Sequence, residues 1–66
     1  MNKALFLRRG YAISQEYIAQ KLGISRKTLS KKENGKGDFT KSEMIIYTDI
    51  LKEYDPKLTI EEIFFN

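Results

Sequence analysis

Apolar residues recur at three- and four-residue intervals along most of this chain, which is the spacing of one face of an α-helix. In one stretch Ile18 and Leu22 lie four residues apart, Gly23 follows at once, and the pattern then restarts. A glycine directly after the last apolar residue favours the left-handed turn that ends many helices. We therefore predict helices over about residues 15–22 and 26–34, joined by a turn of three residues.

Serines stand immediately before both of these helices. Ser14 and Ser25 are therefore expected to be N-caps, whose hydroxyls accept a hydrogen bond from a free backbone N–H. So short a turn makes the two helices cross steeply, and Ala19 supplies the small side chain that a close crossing needs. The pattern indicates a helix-turn-helix whose second helix is held by the first.

Three further helices are predicted around this pair. The first covers about residues 2–9 and is ended by Gly10. Thr40 and Thr59 begin the other two, because each is followed three residues later by a glutamate, which is the pattern of a capping box.

The helix after Thr40 is expected to end at about Lys52 or Tyr54, since Pro56 cannot continue it. No strand-like alternation or internal repeat interrupts the series. The predicted fold is all-α, a compact bundle of five short helices that contains the helix-turn-helix, with residues 1–66 as a single domain.

Composition narrows the chemistry, because the 66 residues include no cysteine and no histidine. Disulfides, thiolate metal sites and histidine proton shuttles are thereby excluded, and a cytoplasmic location is expected. The serines have no histidine to activate them, and the glycines form no phosphate-cradling loop before a helix. We expect no enzyme activity, no cofactor, no metal and no small-molecule substrate. No apolar run is long enough to predict a membrane span.

Charge is divided between the two halves of the chain. Residues 1–37 contain nine lysines and arginines against two acids, a net charge of +7, whereas residues 38–66 contain three against seven, a net charge of −4. A merely solvated surface does not explain this division by sign. The first half is therefore predicted to bind a polyanion.

Residues 4–36 resemble the helix-turn-helix of the XRE family, which includes the Cro and CI repressors of lambdoid phages. The resemblance rests on one spaced combination of residues: Leu7-Arg8, Ile13-Ser14-Gln15-Glu16, Ile18 to Arg26, Thr28 to Lys31, and Glu33-Asn34-Gly35-Lys36. It implies a regulator from a phage or mobile element that binds double-stranded DNA and represses transcription. Lys32 departs from the pattern, because the family usually has an apolar residue there.

The resemblance also implies that the second helix of the motif lies in the major groove with its first residues against base edges. Arg26, Lys27 and Lys31 occupy the family's base-reading positions, and Thr28 is short enough to meet a thymine methyl group. Phosphate contacts are expected from the residues around this helix and from Gln15, the first residue of the preceding helix: Gln15, Ser25, Ser30, Asn34 and Lys36.

Three of these expectations have alternatives. Gln15 can also reach the backbone or brace a side chain of the second helix, and its alternative is an ordinary exposed glutamine. Asn34 can serve only as a residue of the turn that ends the second helix. Glu33 is an acid in a basic stretch, and its family counterpart pairs with an arginine of the first helix, which is Arg8 here. An exposed pair with a nearby lysine is the alternative for Glu33.

The helix after Thr40 carries more apolar residues than one face can hold. Ile46, Ile50 and Tyr54 recur at four-residue spacing beside a first stripe that includes Leu51. With Phe65 they are predicted to form the interface of a weak homodimer, strengthened on DNA, that binds a near-palindromic operator. Packing of Ile46 or Ile50 beneath the last helix is the alternative.

A second class of function remains open from the sequence. An antitoxin or adaptor can keep the helix-turn-helix fold and use it to bind a protein. Such a module is expected to show aromatic or aliphatic anchors on the exposed helix rather than basic residues. The basic residues therefore favour DNA.

Overall fold

Five helices and no strand make up the part of the chain described by the computed structural model, residues 2–65. They are α1 (Ala4–Gly10), α2 (Gln15–Leu22), α3 (Arg26–Glu33), α4 (Lys41–Lys52) and α5 (Ile60–Phe64). The all-α prediction is confirmed. Within residues 2–65 no helix is long and apolar enough to cross a membrane.

The turn between α2 and α3 is built as the sequence predicts. The Ser14 hydroxyl accepts the Tyr17 N–H at 3.1 Å, and the Ser25 hydroxyl accepts the Thr28 N–H at 3.0 Å. Gly23 has a φ of +73°, in the left-handed region where a side chain is strained. A Cβ at Gly23 would meet no atom within 4 Å, so backbone conformation rather than crowding favours glycine there.

Capping boxes begin α4 and α5. Thr40 accepts the Glu43 N–H while the Glu43 carboxylate accepts the Thr40 N–H. Thr59 and Glu62 repeat the arrangement before α5. Both predicted boxes are confirmed, and they satisfy backbone N–H groups that short helices leave free.

α4 is the central element of the core, because it packs against α1, α2 and α5. Its fully buried residues are Tyr47 and Leu51, and Ala19 of α2 is only 2% exposed. α4 also contributes Ile50, and the core is completed by apolar residues from every other helix and from the α1–α2 connection: Ala4, Ile13, Ile18, Leu29 and Ile63. An aromatic group of Phe39, Tyr47 and Phe64, in edge-to-face contact, covers one side.

The start of α1 differs from the prediction of a helix from residue 2. Asn2 lies outside the helix, where its side-chain oxygen accepts the Ala4 N–H at 3.0 Å. Gly10 is the last helical residue, and the left-handed residue of the following connection is Ala12, with a φ of +57°. The chain therefore turns two residues later than the glycine suggests.

Ile50 does not belong to the predicted dimer stripe. It is only 6% exposed and lies within the core of one chain. Because α4 packs against three helices, it buries more than one face, and Ile50 lies on a buried face instead of at a dimer interface. Ile46, Tyr54 and Phe65 are exposed, although the Tyr54 ring stacks on Tyr11 with centroids 5.2 Å apart.

Candidate nucleic-acid interface

The outer face of α3 is basic. Arg26, Lys27 and Lys31 are exposed, whereas Leu29 and Glu33 on the opposite face are buried. Arg26 and Lys27 are the first two residues of α3 and therefore lie at the positive end of the helix dipole, and the first turn contains no acid to offset their charge. This arrangement is unfavourable unless an anion binds there, which favours an anionic partner.

The start of α2 lies beside this basic face. Gln15 lines one shallow surface depression together with four residues of α3: Arg26, Lys27, Ser30 and Lys31. The structure therefore brings the expected phosphate residue of α2 next to three of the four expected base-reading residues. The fourth, Thr28, is half-buried.

Hydroxyl groups at the start of α3 bond to each other. The Ser25 hydroxyl donates to Thr28 Oγ1 at 2.9 Å while its oxygen accepts the Thr28 N–H. Both side chains are therefore held in one orientation by the cap. Thr28 Oγ1 acts only as an acceptor here, so the Thr28 hydroxyl proton and methyl group both remain available at the surface.

The residues expected at the far end of α3 have different surroundings. The Asn34 amide donates to the Ser30 carbonyl at 2.7 Å, so this side chain completes the end of its own helix, as the alternative for Asn34 proposed. Ser30 is half-buried. Lys36 is exposed, and its backbone N–H donates to the Lys31 carbonyl at 2.8 Å.

A buried polar network lies directly beneath α3, with Glu33 at its centre. Arg8 Nε donates to Glu33 Oε2 at 2.8 Å and Arg8 Nη2 to Oε1 at 3.2 Å, which is the predicted pairing of α1 with α3. Gln15 donates to Oε1 at 3.2 Å, and the Tyr47 hydroxyl lies 2.6 Å from Oε2. The Arg8 guanidinium also donates to the Ile13 carbonyl at 2.9 Å.

This network joins four helices through one carboxylate. Burial acts to lower the pKa of Arg8, but pairing with Glu33 outweighs it and holds that pKa above the ordinary value. Burial, and then the hydrogen bond to Glu33, raises the pKa of Tyr47 well above its ordinary value. Arg8 is thus held charged and Tyr47 neutral, so each remains a hydrogen-bond donor.

Comparison with known proteins decides the family. The model of a helix-turn-helix family of XRE type matches residues 7–58, which contain α2, α3 and α4 and most of α1. The chain belongs to this helix-turn-helix family. No curated protein and no solved structure matches it. The domain is accordingly a DNA-binding domain of transcription-regulator type.

Two side chains of the helix-turn-helix domain have roles that sequence reasoning missed. The Tyr47 hydroxyl donates to Glu33, and this partner could not be identified from the sequence of α4 alone. Lys32, the residue that departs from the family pattern, forms an ion pair with Glu43, with Nζ and Oε1 2.6 Å apart. The sequence did indicate an unusual residue at position 32. The predicted capping box gave Glu43 a partner in Thr40, and Lys32 as a second partner of Glu43 was not predicted.

Burial acts to raise the pKa of Glu43, whereas hydrogen bonds from Lys32 and Thr40 act in the opposite direction. The hydrogen bonds and the Lys32 charge together prevail, so the pKa of Glu43 lies below its ordinary value. Glu43 is therefore stabilised as a carboxylate. The charge of Lys32 is balanced within the domain.

Proposed function

We propose that this protein is a Cro-like or repressor-like regulator that inserts α3 into the major groove of a near-palindromic operator. The observation that carries the proposal is the basic outer face of α3, with Arg26, Lys27 and Lys31 exposed beside Gln15 of α2. A helix presented in this way fits the width of the B-DNA major groove.

The exposed cations of α3 are proposed to read base edges. Arg26 carries a planar fork of donors that matches O6 and N7 of guanine, and Lys27 and Lys31 can reach the same atoms as point donors. The hydrogen bond from Ser25 fixes the orientation of Thr28, whose methyl group is proposed to meet a thymine.

Backbone phosphates are proposed to bind at the edges of this surface. Gln15 is the first residue of α2, where free N–H groups and the helix dipole favour an anion. Its amide donates to Glu33, which holds the side chain at this position. Ser25, Ser30 and Asn34 are hydrogen-bonded within the domain, so Lys36 is the strongest candidate among the remaining phosphate residues.

The domain is further proposed to bind its operator as a weak two-fold dimer. Ile46, Tyr54 and Phe65 are 37%, 54% and 67% exposed and remain candidates for the interface. Residues 38–66 carry a net charge of −4, so this half of the chain is expected to face away from DNA. A two-fold dimer of this class places two recognition helices roughly 34 Å apart, which is one turn of DNA.

Selection of genomic DNA fragments by the purified protein, followed by sequencing, tests this function. A recovered motif with inverted symmetry, together with sedimentation of a 2:1 complex on that motif, is the expected result. Recovery of random fragments would contradict sequence-specific binding. A strict 1:1 complex on a site without inverted symmetry would contradict the proposed dimer.

A further inference from the structure

A second ion pair links the end of α3 to the start of α4. Lys32 Nζ lies 2.6 Å from Glu43 Oε1, and the two side chains are only 16% and 10% exposed. Pairs that are shielded in this way are screened by salt much less than surface pairs. The contact crosses the segment of residues 34–40, here named the α3–α4 loop.

One carboxylate oxygen of Glu43 bonds on both sides of the loop, to Lys32 in α3 and to Thr40 at the start of α4. Glu43 Oε1 accepts the Thr40 N–H at 2.9 Å, which defines where the loop enters α4, and it accepts Lys32 Nζ, which defines its distance from α3. The Lys32 stem also lies beneath the loop. A Cβ built on Gly37 would be 3.7 Å from Lys32 Cγ, an ordinary contact distance.

The α3–α4 loop carries Lys36, whose position depends on the path of the loop. Its first residues follow α3 closely, since the Lys36 N–H donates to the Lys31 carbonyl and Gly35 adopts a φ of +79°. Beyond Lys36 the loop is anchored by Lys32 beneath Gly37, by the Phe39 ring in the aromatic group, and by the capping box at Thr40.

We propose that Lys32 and Glu43 are positioning residues for DNA binding, whose ion pair holds the α3–α4 loop so that Lys36 meets a phosphate. Lys32 itself does not contact DNA, because its charge is matched by Glu43. The inference rests on the proposed DNA interface, to which it adds a second layer beneath the contacting residues.

The sign of one substitution separates this role from simple electrostatics. Glu43→Gln removes a negative charge and frees a lysine beside the α3–α4 loop, which by charge alone strengthens binding to a polyanion. A positioning role predicts the opposite. Binding to a labelled duplex of mixed sequence should weaken by roughly 2- to 10-fold, the cost of ordering one or two side chains on binding.

The experiment measures the affinity for that duplex by fluorescence anisotropy for Glu43→Gln, Lys32→Met and the double variant. Glutamine at this position still completes a capping box, so α4 keeps its start, and circular dichroism checks the fold. We expect both single variants to weaken binding, Lys32→Met by the larger factor because it also removes a positive charge, and the double variant to be no weaker than Lys32→Met. Lys32→Arg, which keeps the pair, should bind like the wild type.

Lys36→Met reports on the interface itself. In the wild-type background it should lower the salt dependence of binding by about one phosphate contact, and in the Glu43→Gln background its effect should be smaller. Tighter binding by Glu43→Gln, independent effects of the two single variants, or an undiminished Lys36→Met effect would overturn the positioning role. If Lys36→Met leaves the affinity and the salt dependence unchanged, Lys36 does not belong to the proposed interface. The positioning role of Lys32 and Glu43 would then be overturned as well.

Discussion

Glu33 and Arg8 lie 25 positions apart in sequence and are joined by two hydrogen bonds, with the Glu33 side chain fully buried. Glu33 is the last residue of α3, the proposed recognition helix, whereas Arg8 belongs to α1. The pair therefore sets how α3 is held by the rest of the domain. The Glu33 carboxylate also accepts hydrogen bonds from Gln15 and Tyr47, and Arg8 also donates to the Ile13 carbonyl. The charge of each residue of the pair is therefore stabilised by more than one hydrogen bond.

Arg8→Met should destabilise the domain by about 3 kcal/mol or more, because it leaves a buried carboxylate without its charge partner. Arg9→Met is the matched control, since Arg9 is the exposed neighbour on the same helix, and it should change stability by less than about 0.5 kcal/mol. Urea unfolding gives both values. The Arg8→Met, Glu33→Gln double variant should lose less than the sum of the two single losses, and additive losses would show that the pair is not coupled.

Tyr47→Phe should cost about 1–3 kcal/mol, because it removes a hydroxyl that lies 2.6 Å from Glu33 in a buried site. The phenylalanine ring keeps the contacts with Phe39 and Phe64, so the loss isolates the hydroxyl. Tyr54→Phe removes an exposed hydroxyl and serves as the control. Equal unfolding midpoints for the two variants would argue against the role given to Tyr47.

The glycines at the ends of α1 and α2, Gly10 and Gly23, should respond oppositely to alanine. Gly10 is helical, and a Cβ there meets nothing within 4 Å, so Gly10→Ala should stabilise by about 0.4–1 kcal/mol. Gly23 is left-handed, and Gly23→Ala should cost about 1 kcal/mol. For a domain of this size each kcal/mol shifts Tm by about 4–8 °C. A rise in Tm for Gly23→Ala would contradict the described turn.

These glycines illustrate which parts of the fold could be predicted from sequence. The boundaries of α2 and the starts of α3, α4 and α5 follow from capping residues that act within three positions, so local pattern was sufficient for them. The start of α1 was predicted too early, because Asn2 lies outside the helix and its side-chain oxygen accepts the Ala4 N–H. The burial of Ile50 depends on three helices that enclose α4, which no local pattern contains.

The polar contacts of the candidate site were likewise predicted only in part. The Arg8–Glu33 pairing came from the family resemblance, because the motif places both residues. The Tyr47 hydroxyl and the Lys32–Glu43 pair were not predicted, since each joins residues at least 11 positions apart on different helices. Long-range polar contacts leave no periodic signal in sequence.

Acid should destabilise the domain partly through Glu43. Its pKa is lowered in the folded state, so the stability that it contributes is complete above the pKa of the unfolded chain and is lost as pH falls through the lower folded value. Between about pH 5 and pH 3 the Tm of the wild type should therefore fall more steeply than that of Glu43→Gln. Glu53→Gln, which removes an exposed carboxylate from the same part of the chain, should follow the wild type. Parallel Tm profiles for wild type and Glu43→Gln would contradict the described pairing.

Base reading by α3 is the central claim, and the specificity of Arg26→Ala tests it most directly. The measurement is the affinity of wild type and variant for the selected operator, for operators with single base-pair changes and for a scrambled duplex, all at one salt concentration. Gln15→Ala and Lys36→Ala are the phosphate controls. Arg26→Ala should reduce discrimination at one base pair by about 1–3 kcal/mol, whereas the controls should weaken binding to both duplexes alike. An equal loss for operator and scrambled DNA on changing Arg26 would contradict the assignment of α3 as the base-reading helix through this residue.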